Sequence, residues 1–202
     1  GEDGVTHHGV FDMAAFGAVP GLVIAAPMNE PELRNMMYTA LGSGHPFMIR
    51  YPRGHGEGLP WRGEKFETLP VGRGRRLREG ADVALLTVGT VGNAAARAAG
   101  RAAAEGVSVA HYDLRFVKPL DEALLDEVGR KFRRVVTVED GSLRGGVGEA
   151  VAAFFNGRGY DVRVQRLGIG DEWVEHGTPG QLYALCGYDE EGILRALLDT
   201  RA

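Results

Sequence analysis

The sequence predicts an α/β protein built around a mostly parallel sheet, and three observations carry that expectation. From Asp82 onward, short apolar runs at 83–88, 107–112, 135–138 and 162–167 read as buried strands. They are separated by segments of helical periodicity at 91–105, 121–132 and 148–156, with a last helix at 190–198. Strand, helix, strand in succession calls for parallel neighbours joined by right-handed crossovers. Finally, 202 residues, 44% hydrophobic and 25% charged, suffice for one large or two small domains with real cores.

The elements upstream follow from local chemistry. After the polar turn Gly1-Glu2-Asp3-Gly4, residues 9–16 read as a short helix. The apolar run 22–26, stopped by Pro27, reads as a buried strand. Asn29-Glu30-Pro31-Glu32 then opens a helix. Pro31 gives up an amide that has no partner in the first turn, and the acids face the positive end of the helix dipole. Leu33, Met36, Met37 and Leu41 form its expected apolar face, and Gly42-Ser43-Gly44 ends it. Residues 47–51 make the next strand, closed by Pro52. Between Gly54 and Gly80 the pattern breaks into glycine, proline and charge. Residues 1–55 are therefore taken as one unit, 56–80 as a linker with a segment free to pair as an edge strand, and 81–202 as a second unit. No internal repeat occurs, and the alanine-rich stretch at 91–105 is explained by helix propensity.

Composition excludes several function classes. A formal charge of −4 offers no footprint for nucleic acid, although a local patch can still attract phosphate. The basic run Arg73, Arg75, Arg76 and Arg78 lacks interleaved aromatics for base stacking, which favours a solvated face or an edge strand. No apolar run reaches membrane-spanning length and no secretory leader is visible, so neither membrane nor secretion is indicated. Cys186, the single cysteine, can form neither an internal disulfide nor a multi-thiolate metal site, which suits a reducing compartment and makes the cytoplasm the expected location. The chain opens on Gly1 rather than Met, as a partial or a processed chain would.

The densest polar cluster is the opening segment, Asp3-Gly4-Val5-Thr6-His7-His8-Gly9-Val10-Phe11-Asp12. An acid, a hydroxyl and two imidazoles lie on a glycine-flanked turn at a helix start, where free amides favour an anion. The plainer reading is that Thr6 caps the helix and both histidines are surface residues. Zinc is rejected, because the usual His-x3-His or cysteine-pair spacing is absent. A second cluster, Arg50-Tyr51-Pro52-Arg53-Gly54, follows a predicted parallel strand, at the edge where open α/β sheets bind ligands. An arginine fork presented there suits phosphate oxygens, and the alternative is a pair of surface arginines. Gly145-Gly146-Val147-Gly148, after Glu139-Asp140-Gly141-Ser142, looks like an anion cradle. It lacks the Walker ending and the GxGxxG spacing, so close backbone packing is favoured over nucleotide binding.

Taken in order, Asp3-Gly-x-Thr-His7-x-Gly-x-Phe-Asp12, Arg50-Tyr-Pro-Arg53-Gly, Leu114-Arg-Phe-Val-Lys-Pro-Leu-Asp121 and Val138-Glu-Asp-Gly with Gly145-Gly-Val-Gly resemble the 1-deoxy-D-xylulose-5-phosphate synthases nearly end to end. Transketolases and the beta subunits of 2-oxoacid dehydrogenases share the architecture without this full set. The resemblance implies that residues 1–55 are the second half of a transketolase-like pyrimidine-binding domain and that 81–202 are a transketolase carboxy-terminal domain. It implies a transferase that condenses pyruvate with D-glyceraldehyde 3-phosphate, with loss of CO2, to open non-mevalonate isoprenoid and thiamine synthesis. Thiamine diphosphate and Mg2+ would be held mainly by parts outside this chain, in a homodimer completed by the amino-terminal remainder of the enzyme. His7 matches the catalytic position, with Asp3 and His7 looking toward the acceptor aldehyde. Arg53 matches the phosphate-binding arginine, and His8 receives no role. The reading from another class is a non-catalytic interaction or dimerisation module, which the fragment would be if it acted alone.

Overall fold

The computed structural model describes residues 1–63 and 65–199. A single 3-10 turn, Val5–His7, precedes α1 (Asp12–Gly17), β1 (Val23–Ala25), α2 (Glu30–Gly42) and β2 (Phe47–Ile49). There follow β3 (Arg75–Arg78), β4 (Val83–Val88), α3 (Val91–Ala104), β5 (Val109–Asp113), β6 (Phe116–Lys118) and α4 (Glu122–Lys131). The chain ends with β7 (Arg134–Ser142), α5 (Val147–Gly157), β8 (Arg163–Ile169), α6 (Pro179–Leu185) and α7 (Glu190–Leu198).

The larger sheet has the order β3-β5-β4-β7-β8. Its four inner and far strands are parallel, and β3 adds antiparallel to β5 at one edge. Side chains on alternate residues of β4 point to opposite faces, so each face carries its own core. Val83 and Leu85 pack with the alanines of α3 and with Ile193 and Leu197 of α7. Ala84 and Leu86 pack with Leu125 and Val128 of α4 and Val151 and Phe155 of α5. The alanine-rich helix has a packing role as well as a propensity: Ala95, Ala98, Ala99 and Ala102, at helical spacing, are fully buried.

The smaller sheet, β2-β1-β6, joins the first fifty residues to the middle of the chain. β1 and β2 are parallel, and β6 runs antiparallel to β1. β6 was not expected from the sequence, because it is only three residues long and depends on pairing with distant β1. An ion network reinforces this junction. Buried Glu32 on α2 accepts from Arg115 Nε and Nη2, each at 2.9 Å, and from Arg75 at 2.9 Å. Arg75 also pairs with buried Asp113 at 3.1 Å. Burial raises the Asp113 carboxyl to about 6 against the pull of Arg75.

Other differences from the expected elements have local causes. The first helix starts at Asp12 rather than residue 9, with Asp12 Oδ1 accepting from the Met13 amide at 2.8 Å. On α2 only Met36 of the four apolar residues is fully buried. Met37 is 56% exposed and Leu41 89%, and the buried stripe is Glu32, Met36 and Thr39. Glu32 and Thr39 are on that stripe because the ion network and a bond from the Leu69 amide to Thr39 Oγ1, at 2.8 Å, compensate their burial. The arginine run forms the edge strand β3, with Arg73 paired to Asp121 and Arg76 to Glu79 and Glu127. α6 escaped the periodicity because none of its residues is buried.

Candidate functional site

Four segments meet at the carboxyl edges of the two sheets: the opening turn, the loop after β2, the end of β7, and the stretch from Glu172 to Tyr188. They enclose a cavity of about 580 Å3. Asp3 and His7 line it from the opening turn and Arg53 from the β2 loop, so the three residues singled out in the sequence face one space. Arg53 is 80% exposed, and its guanidinium donates to the Asp3 carboxylate. His7 is exposed, and Nδ1 lies 2.9 Å from Thr6 Oγ1, which leaves Nε2 without a protein partner among the described residues.

His8, given no role, is a structural pin. Its Nε2 lies 3.0 Å from the Val174 carbonyl, which only accepts, so that nitrogen carries the proton. The bond ties the opening turn to the far wall, where Phe11 meets Trp173 edge to face at 5.7 Å between ring centroids.

The floor is polar and better buried. Arg50 Nε donates to Asp12 Oδ2 at 2.8 Å, and Nη2 donates to the Asp140 carbonyl at 2.9 Å. The Asp140 carboxylate accepts from Tyr188 at 2.9 Å and from Tyr183 at 3.2 Å. Burial, reinforced by the neighbouring Asp140 charge, pushes both phenols above their ordinary range, so they stay protonated donors. Cys186 also lines the cavity, and burial raises its thiol above the usual value. Tyr183, Tyr188 and Trp173 were missed by sequence reasoning. A signal for the first existed in Thr178-Pro179-Gly180-Gln181, a capping box with proline in the first turn, which the structure forms in full.

The glycine-rich run 145–148 is filled from within the chain. The Glu139 carboxylate occupies it, accepting from the Val147 and Gly148 amides at 2.7 and 2.8 Å. A Cβ at Gly146 would come within 2.3 Å of the Ser142 carbonyl oxygen and 2.4 Å of Glu139 Oε2. Close packing is therefore what the glycines serve.

The model of the transketolase carboxy-terminal domain matches residues 72–193, well over half of the chain, and that of the transketolase pyrimidine-binding domain matches residues 1–57. The chain belongs to the transketolase family. Within it, the chain is 55% identical to the 1-deoxy-D-xylulose-5-phosphate synthase of Bacteroides fragilis, over 100% of this chain and 31% of that protein. It is 54% identical to the synthase of the same name from Bacteroides thetaiotaomicron, over 98% and 31%. Among solved structures it resembles a split-gene transketolase described as an inactive beta4 tetramer, with a TM-score of 0.84 and 28% identity, over 96% of this chain and 62% of that one. The chain thus spans about a third of the length of these curated relatives. The cavity is lined by residues from both matched segments, and the smaller sheet likewise combines β1 and β2 of the first with β6 of the second.

Proposed function

We propose that this chain forms the acceptor-substrate side of a thiamine-diphosphate-dependent 1-deoxy-D-xylulose-5-phosphate synthase, a transferase longer than the chain itself. Two features support the reading: the full-chain likeness to synthases of that name, and the convergence of Asp3, His7 and Arg53 on one cavity. The second carries it, because it brings a phosphate-matching arginine and a proton-carrying imidazole to the same space.

The reaction condenses pyruvate with D-glyceraldehyde 3-phosphate. Pyruvate loses CO2, the former carbonyl carbon of its remaining two-carbon unit bonds to the aldehyde carbon, and the aldehyde oxygen takes up a proton to become a hydroxyl. Thiamine diphosphate supplies the carbanion chemistry when bound. Among the described residues no group of three His, Cys, Asp or Glu side chains gathers to hold Mg2+, so they do not fit that ion.

The chain's own residues act on the acceptor. Arg53 exchanges its exposed pairing with Asp3 for the substrate phosphate, a charge-assisted contact in a better geometry. The released Asp3 carboxylate accepts from an acceptor hydroxyl. His7, steadied through Nδ1 by Thr6, presents Nε2 to the aldehyde oxygen as the proton donor. We further propose units at 1–55 and 81–202 joined by a linker at 56–80, a homodimeric assembly with the amino-terminal remainder, and a cytoplasmic location.

Arg53→Ala in the full-length enzyme tests the assignment. Loss of a charge-assisted phosphate contact is expected to raise KM for D-glyceraldehyde 3-phosphate by roughly 10- to 100-fold, with KM for pyruvate unchanged. An unchanged KM and rate for the phosphorylated acceptor would sink the proposal.

A further inference from the structure

Arg53 is long, exposed and held by one exposed carboxylate, so its aim depends on how firmly the backbone beneath it is set. Three residues earlier, Arg50 has the opposite character. Its side chain is 14% exposed, and its backbone amide continues the β1 pairing through a 2.9 Å bond to the Ala25 carbonyl. Arg50 thus joins three segments: its backbone follows β2 and bonds β1, and its guanidinium reaches α1 through Asp12 and β7 through the Asp140 carbonyl.

Each contact point is itself fixed. Asp12 is oriented by the Met13 amide at the start of α1, while Asp140 is anchored by Tyr183 and Tyr188. A bond from the Ser142 amide to the Val10 carbonyl, at 3.0 Å, ties the opening segment to the same strand. Two donors in one plane set a direction as well as a distance, which a lysine ammonium does not do.

We propose that Arg50 is a positioning residue for the acceptor site: it clamps the Arg53 loop and the His7 segment onto β7, at the separation at which phosphate and aldehyde of one substrate are engaged together. The proposal rests on the acceptor reading above. It places Arg50 outside the substrate's own contacts and makes its effect act through Arg53.

The test uses the full-length enzyme and two acceptors, D-glyceraldehyde 3-phosphate and unphosphorylated D-glyceraldehyde. Arg50→Lys keeps the charge and loses the fork. It is expected to raise KM for the phosphorylated acceptor about tenfold, equivalent to ~1.4 kcal/mol, with changes below about twofold for D-glyceraldehyde and pyruvate. In an Arg53→Ala background the same substitution is expected to add nothing, because the residue it positions is gone. Asp12→Asn loosens the clamp from its other end with Arg50 intact. It should move the same KM in the same direction by about threefold, and it decides the matter if Arg50→Lys does not fold. Equal losses with both acceptors, additivity with Arg53→Ala, or unchanged kinetics in both variants would each overturn the proposal. The acceptor reading is judged separately, by the Arg53→Ala single variant.

Discussion

The opening turn at residues 3–9 and the turn at residues 145–148 both lead toward helices, and they handle negative charge in opposite ways. At the second, the carboxylate is internal. Glu139 is buried and takes two amide bonds, leaving no space for a Cβ at Gly146, let alone for an anion. At the first, the charge is carried by exposed Asp3, whose partner Arg53 comes from the loop after β2 and opens onto a cavity. A buried, fully bonded carboxylate is part of the fold. An exposed pair is cheap to separate and available for exchange with a ligand.

Removing Glu139 should give the largest effect on stability. Glu139→Ala leaves two buried amides unpaired at the start of α5, and we expect a loss of about 3 kcal/mol in urea unfolding of the chain. Arg53→Ala in the same assay should change stability by less than about 0.5 kcal/mol, because its pair is exposed. If the two substitutions cost the same, the contrast between the turns collapses.

Acid sensitivity sharpens the contrast, since the buried half holds shifted groups with opposing signs. Burial lowers His111 to about 4, with Arg75 and Arg78 adding to the effect, and its Nε2 lies 2.9 Å from Thr87 Oγ1. Below about pH 6.5 the unfolded chain takes a proton there that the folded chain refuses, so stability falls as pH drops toward 4. Asp113, raised to about 6, works the other way: the folded state takes up its proton first, so stability is gained as pH falls through that window. His111→Gln should therefore flatten the loss between pH 6.5 and 4 by roughly 1 to 3 kcal/mol, and Asp113→Asn should steepen it, as read from urea midpoints against pH. Parallel profiles for both variants and the parent would refute the pairing.

The same contrast explains what was legible in the sequence. The strands of the large sheet and helices α3, α4, α5 and α7 follow from apolar period, because each buries a continuous face. Asp3, His7 and Arg53 stood out because polar residues clustered on glycine and proline turns. β6 did not, since a three-residue strand gains its identity from pairing with a distant β1. Nor did the aromatic wall, because α6 buries nothing and carries no period. Met37 and Leu41 were misplaced for a related reason. Helical period marks an apolar face without saying whether the ion network around Glu32 will turn the helix another way.

Asp3→Asn should give the smallest effect and the most direct reading of the exposed pair. Neutralising Asp3 removes the carboxylate that competes with an incoming anion for Arg53, while the surrounding turn keeps its backbone bonds, including the 3.0 Å bond from the His7 amide to the Gly4 carbonyl. Exposed pairs are worth a few tenths to one kcal/mol, so inorganic phosphate should bind Asp3→Asn about two- to fivefold more tightly than the parent chain. The NMR shift of the Arg53 side-chain Nε during a phosphate titration reports it directly. Adding Arg53→Ala should abolish the gain. Tighter phosphate binding that persisted without Arg53 would mean that Asp3 repels the anion through space rather than by occupying its partner, and the exchange of one carboxylate for one phosphate would no longer describe the site.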